Sequence, residues 1–270
     1  MTLGAVRVGV GGWTFEPWRG AFYPQGLKHA DELAFASRRL TALEINATYY
    51  SRQSPKTFAS WAAQTPEGFV FTLKGGRACT NRKVLAEAGE SVRRFVEQGI
   101  DALGDKLGPI LWQFMHFKRF DRDEFAAFVD FLPPSVSGLK LRHCLEVRHR
   151  TFADPAFVEL CRQRNIAICL SDEERWPLIA DATADFTYAR LQRGVDEVPT
   201  AYEPAEIRAW AKRLSAYASG GFPDDLKPVA EAAAPAGRRR EVFAFFISGG
   251  KARAPMAAEA LISALQQGAA

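Results

Sequence analysis

The chain has 270 residues, 47% hydrophobic and 24% charged, the balance of an ordinary globular protein and not of a disordered or fibrous one. Its formal net charge of +4 permits an anionic partner but lacks the concentrated basic face of a dedicated DNA-binding module. "MTLGAVRVGVGG" runs straight into a strand pattern without the layout of a signal peptide, and no apolar run nears the ~18 residues of a membrane span, so a cytoplasmic protein that makes no membrane contact is expected.

In chain order, apolar runs of strand length recur at "VRVGVGG" (6–12), "ALEINATYY" (42–50), "FVFTLKG" (69–75), "PILWQF" (109–114), "HCLEVRH" (143–149), "IAICLSD" (166–172), "FTYARLQ" (186–192) and "VFAFFISG" (242–249). Between most of them lie "DELAFASRRL", "PKTFASWAAQ", "ESVRRFVEQGIDALG", "DEFAAFVDFL", "DPAFVELCRQRN" and "EPAEIRAWAKRLSAYA", each with apolar residues three and four apart. Asp154–Pro155 and Pro255 mark helix starts, the latter opening "PMAAEALISALQQG". The link between the sixth and seventh strands is short and poorly helical, so one helix is expected to be reduced there. Residues 220–240, with the low-complexity stretch "EAAAPAGRRR", read as a mobile loop before the eighth strand.

Strands alternating with helices imply a parallel sheet, and eight of them in about 250 residues imply a single TIM-type (β/α)8 barrel spanning 1–270. An open doubly wound sheet is the alternative. "GVGGW" does not match the dinucleotide fingerprint, and "ISGGKAR" lacks the Ser or Thr that follows the lysine of a P-loop.

Side chains alternate along a strand, so one set covers the helices and the other points into the barrel. Leu43 and Ile45 oppose Glu44, Asn46 and Thr48; Phe71 and Leu73 oppose Thr72 and Lys74. Trp112 opposes Gln113, Leu145 and Val147 oppose Glu146 and Arg148, and Ala189 and Leu191 oppose Tyr188, Arg190 and Gln192. The interior thus receives Glu44, Asn46, Lys74, Gln113, Glu146, Arg148, Tyr188 and Arg190, mostly toward the carboxyl-terminal mouth where barrel enzymes keep their sites. Asp172 and Ser248 are expected to join them at the rim.

The ordered motifs "GVGGWTFEPWRGAFYP", "LEINATYY", "FVFTLKG", "ILWQF", "LEVRH", "SD" and "YARL" resemble the YecE-like family, domain of unknown function 72, over nearly the whole chain. The resemblance implies a TIM-barrel fold and supplies no activity. Its matching positions are Trp13, Trp18, Tyr23, Glu44, Asn46, Lys74, Gln113, Glu146, Arg148, His149, Asp172, Tyr188 and Arg190. Asn81 and Gln192 stand where the family pattern has histidines, and "FFISGGKARAPMAAEAL" replaces an asparagine-bearing ending.

The charge cluster points to an enzyme, of hydrolase, lyase or isomerase type, acting on a small polar anionic substrate, phosphorylated or sugar-containing, without an organic cofactor. Lys74, Arg148 and Arg190 would draw in a carboxylate or phosphate. Glu44 and Glu146 are candidates for general acid and base, with His149 and Asp172 beside them and Lys74 as an alternative nucleophile. Ser248, Gly249, Gly250 and Lys251 form a candidate anion cradle after the eighth strand. Trp13, Trp18 and Tyr23, with Phe15 and Phe22, are placed to stack on a sugar or base. Few histidines and no zinc-type cysteine spacing argue against a zinc site, and Cys79, Cys144, Cys161 and Cys169 read as small hydrophobes in a reducing compartment. The carboxylates Glu44, Glu146 and Asp172 leave room for one Mg2+. Two other readings stand beside this one. In a nucleic-acid-binding protein the aromatic loop stacks bases and Arg238, Arg239, Arg240 and Lys251 hold phosphates. In a non-catalytic barrel the charges only pair with one another. Nothing in the sequence fixes an oligomeric state.

Overall fold

The computed structural model describes residues 5–230 and 238–268. Eight strands, β1 (Val6–Gly11), β2 (Ala42–Ile45), β3 (Val70–Lys74), β4 (Leu107–Gln113), β5 (His143–Glu146), β6 (Ala167–Ser171), β7 (Phe186–Arg193) and β8 (Glu241–Gly249), form its core sheet. All pair in parallel and close into a barrel in the order β1-β8-β7-β6-β5-β4-β3-β2. This is the TIM-type α/β barrel expected from the alternation of strands and helices.

Seven longer helices cover it: α1 (Glu32–Arg39), α2 (Pro55–Ala63), α3 (Gly89–Val96), α4 (Arg122–Asp130), α5 (Pro155–Gln163), α6 (Pro204–Ala218) and α7 (Ala254–Gly268). Their starts are written locally. Ser54, Asp121 and Asp154 each accept a backbone N–H of the first turn, and Glu203 with Glu206 forms a capping box ahead of Pro204. Such caps contribute about 0.5–2 kcal/mol apiece. Between β6 and β7 no helix forms, as the sequence pattern foretold.

Two apolar layers result from the strand alternation. Outside, Leu43, Ile45, Phe71, Leu73, Trp112, Leu145 and Leu191 pack under the helices. Inside, Ala42, Val70, Leu111, Cys144, Ala167, Phe186, Phe243 and Phe245 fill the amino-terminal part of the barrel as a separate cluster. The same inward rows continue upward as Glu44, Lys74, Gln113, Glu146 and Arg190, so the polar interior is confined to the mouth.

Several elements differ from the sequence reading at their ends. β2 stops at Ile45, because Asn46 already has helical backbone angles and Ala47–Tyr50 makes a helical turn. β5 stops at Glu146, three residues before the expected end. A short hairpin, Ser135–Val136 with Leu139–Lys140, precedes it unforeseen. Of the expected mobile loop, residues 231–237 lie outside the described residues. No helix among the described residues is long and apolar enough to cross a membrane.

Closure depends on a close backbone approach at β1. A Cβ added to Gly9 would stand 1.8 Å from the carbonyl oxygen of Ala42, against rigid backbone. Gly9→Ala is therefore expected to destabilise the fold by about 3 kcal/mol or more, the upper range for overpacking; a denaturation midpoint within error of the unsubstituted chain would refute this.

Candidate functional site

One guanidinium organises the mouth. Arg190, on β7, is 1% exposed. Its Nε and Nη2 donate to the two carboxylate oxygens of Glu44 at 3.1 and 3.0 Å, and its Nη1 donates to Glu146 Oε2. The Tyr188 hydroxyl donates to Glu44 Oε2 at 2.8 Å and itself receives the Thr72 hydroxyl at 3.0 Å. Glu146 gains a further bond from Gln113 Nε2 at 2.7 Å and two from Arg148, at 3.0 and 3.3 Å. Gln192 Nε2 donates to Ser171 Oγ at 2.9 Å and reaches Glu146 Oε1 at 3.4 Å.

The electrostatics follow from these bonds. Burial alone would raise the Glu146 carboxyl, but Arg190, Arg148 and the Gln113 bond outweigh it and hold its pKa at about 2. Burial works against the Arg190 charge too, yet Glu146 and Glu44 together push its pKa above the ordinary value. Burial, aided by Glu44, pushes the Tyr188 phenol well up, so it stays a donor. Glu146 is thus ionised at neutral pH, and both its oxygens are engaged.

Lys74 differs from its neighbours. It ends β3 and is 8% exposed, and its ammonium makes no ion pair or hydrogen bond among the described residues. Its ammonium lies 4.3 Å from the ring centroid of Tyr49, a cation–π contact. Burial, then the repulsion of Arg190, lowers its pKa from 10.5 to about 8 against the pull of Glu44 and Glu146.

The remaining expected residues divide. Asn46 lies beside the mouth, its Nδ2 2.8 Å from where a Cβ on Gly11 would stand. Arg148 is one-fifth exposed and lies 4.9 Å from the Trp176 ring centroid. Asp172 does not join them. Ala167, Cys169 and Ser171 face inward, so the next residue turns out, where Asp172 accepts Gln192 N–H and the Tyr202 hydroxyl. Burial raises the Asp172 carboxyl despite those bonds. The Glu44–Glu146–Asp172 set suggested for Mg2+ is consequently not assembled. Among the described residues no three His, Cys, Asp or Glu side chains are placed to hold a metal. His149 caps the 3-10 turn Arg150–Phe152, its Nδ1 accepting Thr151 N–H. Slight desolvation and then Arg119 and Arg150 lower its pKa.

The aromatic loop after β1 packs inward. Trp18 and Tyr23 are each 1% exposed; Trp18 Nε1 donates to the Lys251 carbonyl at 2.8 Å and the Tyr23 hydroxyl donates to the Trp13 carbonyl. Trp13 is half-buried against Trp61 and Phe71. Trp18, Phe22 and Tyr23 therefore anchor the loop, while Trp13 and Phe15 stay partly exposed.

The glycines at the end of β8 also have a packing cause. A Cβ on Gly249 would stand 2.3 Å from the Gln192 carbonyl oxygen, and one on Gly250 2.8 Å from the Gly194 backbone. The Ala252 amide, one residue beyond the expected cradle, donates to Asp196 Oδ1 at 3.0 Å. Lys251 Nζ lies over the Phe15 ring, and exposed Ser248 faces Gln192 Oε1 at 3.5 Å, brought inward by a bulge in β8. Arg238, Arg239 and Arg240 precede β8 whereas Lys251 follows it, so strand length alone separates them by more than about 25 Å.

Sequence reasoning missed Tyr49, Thr72 as the Tyr188 partner, Ser171 and Trp176. Tyr49 stands in the helical turn after β2 and Trp176 in a loop, where strand alternation carries no signal.

Fold and site together define a TIM-type barrel with a paired polar bridge and one unpaired lysine at its mouth. The family model "Protein of unknown function DUF72" matches residues 7–270, and the chain belongs to that family. A DUF72 family protein of Thermotoga maritima has a similar structure (TM-score 0.71, 22% identity), covering 98% of this chain and 99% of that one. A DUF72 family protein of Enterococcus faecalis V583 gives TM-score 0.70 at 16% identity, with 97% and 95% covered. These likenesses concern the fold. A search of the curated proteins found no match.

Removing the bridging cation leaves buried Glu44 with no cation and Glu146 with Arg148 alone. Arg190→Met is expected to destabilise the fold by roughly 3–5 kcal/mol at pH 7. In that variant the folded carboxyl pKa rises above its unfolded value, so bound protons favour the folded state and part of the loss returns between pH 7 and 4. The unsubstituted chain has the opposite sign, because the Glu146 pKa of about 2 gives stability that fades as pH falls from 4.5 toward 2. Urea melts at several pH values distinguish the two; parallel profiles would contradict the bridge's role.

Proposed function

We propose that the chain is an enzyme whose barrel mouth takes a small anionic substrate, with Lys74 as the group that meets it. The observation carrying this reading is that Lys74 is a mouth cation without a carboxylate partner among the described residues, while Arg190 is saturated by Glu44 and Glu146. A desolvated, unpartnered ammonium gains most when an anion arrives, because the missing hydrogen bonds are then made in a low-dielectric site. The outer face of Arg148, with Asn46, Gln113 and Gln192, would complete the pocket.

In this reading Glu44 and Glu146 are positioning residues. They orient Arg190 and Arg148, and Glu146, ionised with a pKa of about 2, has no proton to give at neutral pH. Lys74 suits proton transfer better. With a pKa of about 8 it is mostly ammonium at pH 7, with about a tenth present as free amine. That poise serves an acid beside a developing oxyanion or a nucleophile toward a carbonyl, which favours lyase or isomerase chemistry over hydrolysis.

The closed Glu44–Arg190–Glu146 bridge favours a second reading, a non-catalytic barrel whose charges only brace one another. Ligand binding separates the two. Small carboxylates (acetate, glycolate, oxalate) titrated calorimetrically are expected to bind the chain and to lose at least tenfold in affinity in Lys74→Met. The affinity is also expected to fall as pH rises through about 8, since the ammonium is lost there. No binding, or binding indifferent to Lys74→Met and to pH between 6 and 9, sinks the mouth reading.

A further inference from the structure

Beside the mouth lies a cavity of about 230 Å3, formed by the turn after β2, the turn after β3 and helix α3. Its wall includes three arginines from these three elements: Arg52, Arg77 and Arg94. None of them makes an ion pair or a side-chain hydrogen bond among the described residues, whereas neighbouring Arg93 is paired to Glu90. Ser51 and Ser91 add hydroxyls, and Tyr49 and Tyr50 add rings, Tyr50 being 68% exposed. The floor is set by buried Thr48, Cys79 and Phe95. Tyr49 connects the two sites, since its ring both lines this cavity and carries the Lys74 ammonium on its face.

The size and the donor set narrow the ligand. Pockets that enclose a whole small molecule measure ~300–1,000 Å3, so this one suits a single group at the end of a longer ligand. One guanidinium fork is enough for the two oxygens of a carboxylate. Three forks on separate elements match a phosphoryl group, with its three oxygens and charge near −2. No acidic side chain lines the wall to compete.

We propose that this cavity is a phosphate subsite, and that it holds the phosphoryl end of the small anionic substrate whose other end meets Lys74. The second half rests on the mouth reading; the first does not. A ligand with two anionic ends would bridge the two positions past Tyr49, so its length between the charges becomes the determinant of specificity. Neither anchor alone orients it, whereas two fix the reacting bond relative to Lys74.

Inorganic phosphate titrated calorimetrically into the full chain tests the subsite. Arg77→Gln/Arg94→Gln is expected to weaken phosphate binding at least tenfold with its melting temperature unchanged, because both side chains are exposed and without partners among the described residues. Lys74→Met is expected to leave phosphate binding within twofold. Loss in Lys74→Met with none in the arginine variant puts the anion in the mouth and overturns the subsite while sparing the mouth reading. Absent or indifferent phosphate binding also overturns it. A series of ω-phosphorylated carboxylic acids of two to five carbons tests the bridge: one length is expected to bind at least tenfold better than phosphate and to lose that gain in Lys74→Met. A flat series, with a single-stranded oligonucleotide displacing phosphate instead, assigns the phosphoryl group to a nucleic-acid backbone and overturns the small-substrate half.

Discussion

Two carboxylates inside one barrel cannot both stay ionised without a cation between them, and everything at this mouth follows from how Arg190 meets that demand. A lysine would offer a point charge; the guanidinium offers a planar fork that grips both oxygens of Glu44 and still reaches Glu146. Desolvating three charges is expensive, and the attraction offsets it only because the remaining lone pairs are filled by Tyr188, Gln113 and Arg148. The bridge therefore fixes the orientation of side chains from five strands or strand ends. It also decides which charge is left over: two carboxylates face three cations, and the lysine is the one outside the bridge.

That division depends on the layer beneath. Phe186, Phe243, Phe245 and Val70 close the barrel below the bridge, and Tyr188 stacks on Phe243 with its ring while its hydroxyl reaches Glu44. Tyr188 is thus the joint between a dry half and a polar half of one interior. An aromatic floor keeps water from the lower side of the ion pairs and strengthens each of them.

Much of this was legible because strand alternation is a strict rule. Leu145 against Glu146, Leu73 against Lys74 and Ala189 against Arg190 were enough to send the charges inward, and the TIM-type closure followed from eight alternating units. What failed lay at strand ends. Asp172 comes directly after inward Ser171 and so turns out, whereas Asn46 stays beside the mouth although it has left the strand. The aromatic loop looked like a stacking platform because composition does not tell a buried ring from an exposed one; Trp18 and Tyr23 are packed against Phe22 and Phe35. Pairing was out of reach altogether. Nothing local reveals that Arg190 serves two glutamates 146 and 44 residues away while Lys74 serves none. The arginines at 52, 77 and 94 were invisible for the same reason, since only folding brings two turns and a helix to one cavity.

The absent helix between β6 and β7 changes what forms the wall beside Arg148. Eight strands carry seven longer helices, and the uncovered sector is spanned by the segment holding Trp176, whose one backbone hydrogen bond within residues 173–178 is Trp176 N–H to the Glu173 carbonyl. Its far end is fastened, with Asp181 accepting the Val229 and Ala230 amides. Its near end is held by Asp172, which accepts the Gln192 N–H and the Tyr202 hydroxyl, so the sparse backbone bonding is confined to the middle. Through Trp176, whose ring centroid lies 4.9 Å from the Arg148 guanidinium, the segment covers one side of that cation, whereas Glu44 and Arg190 are carried by strands. The barrel thereby sets a charge bridge carried by strands beside a stretch of wall held chiefly by side-chain contacts.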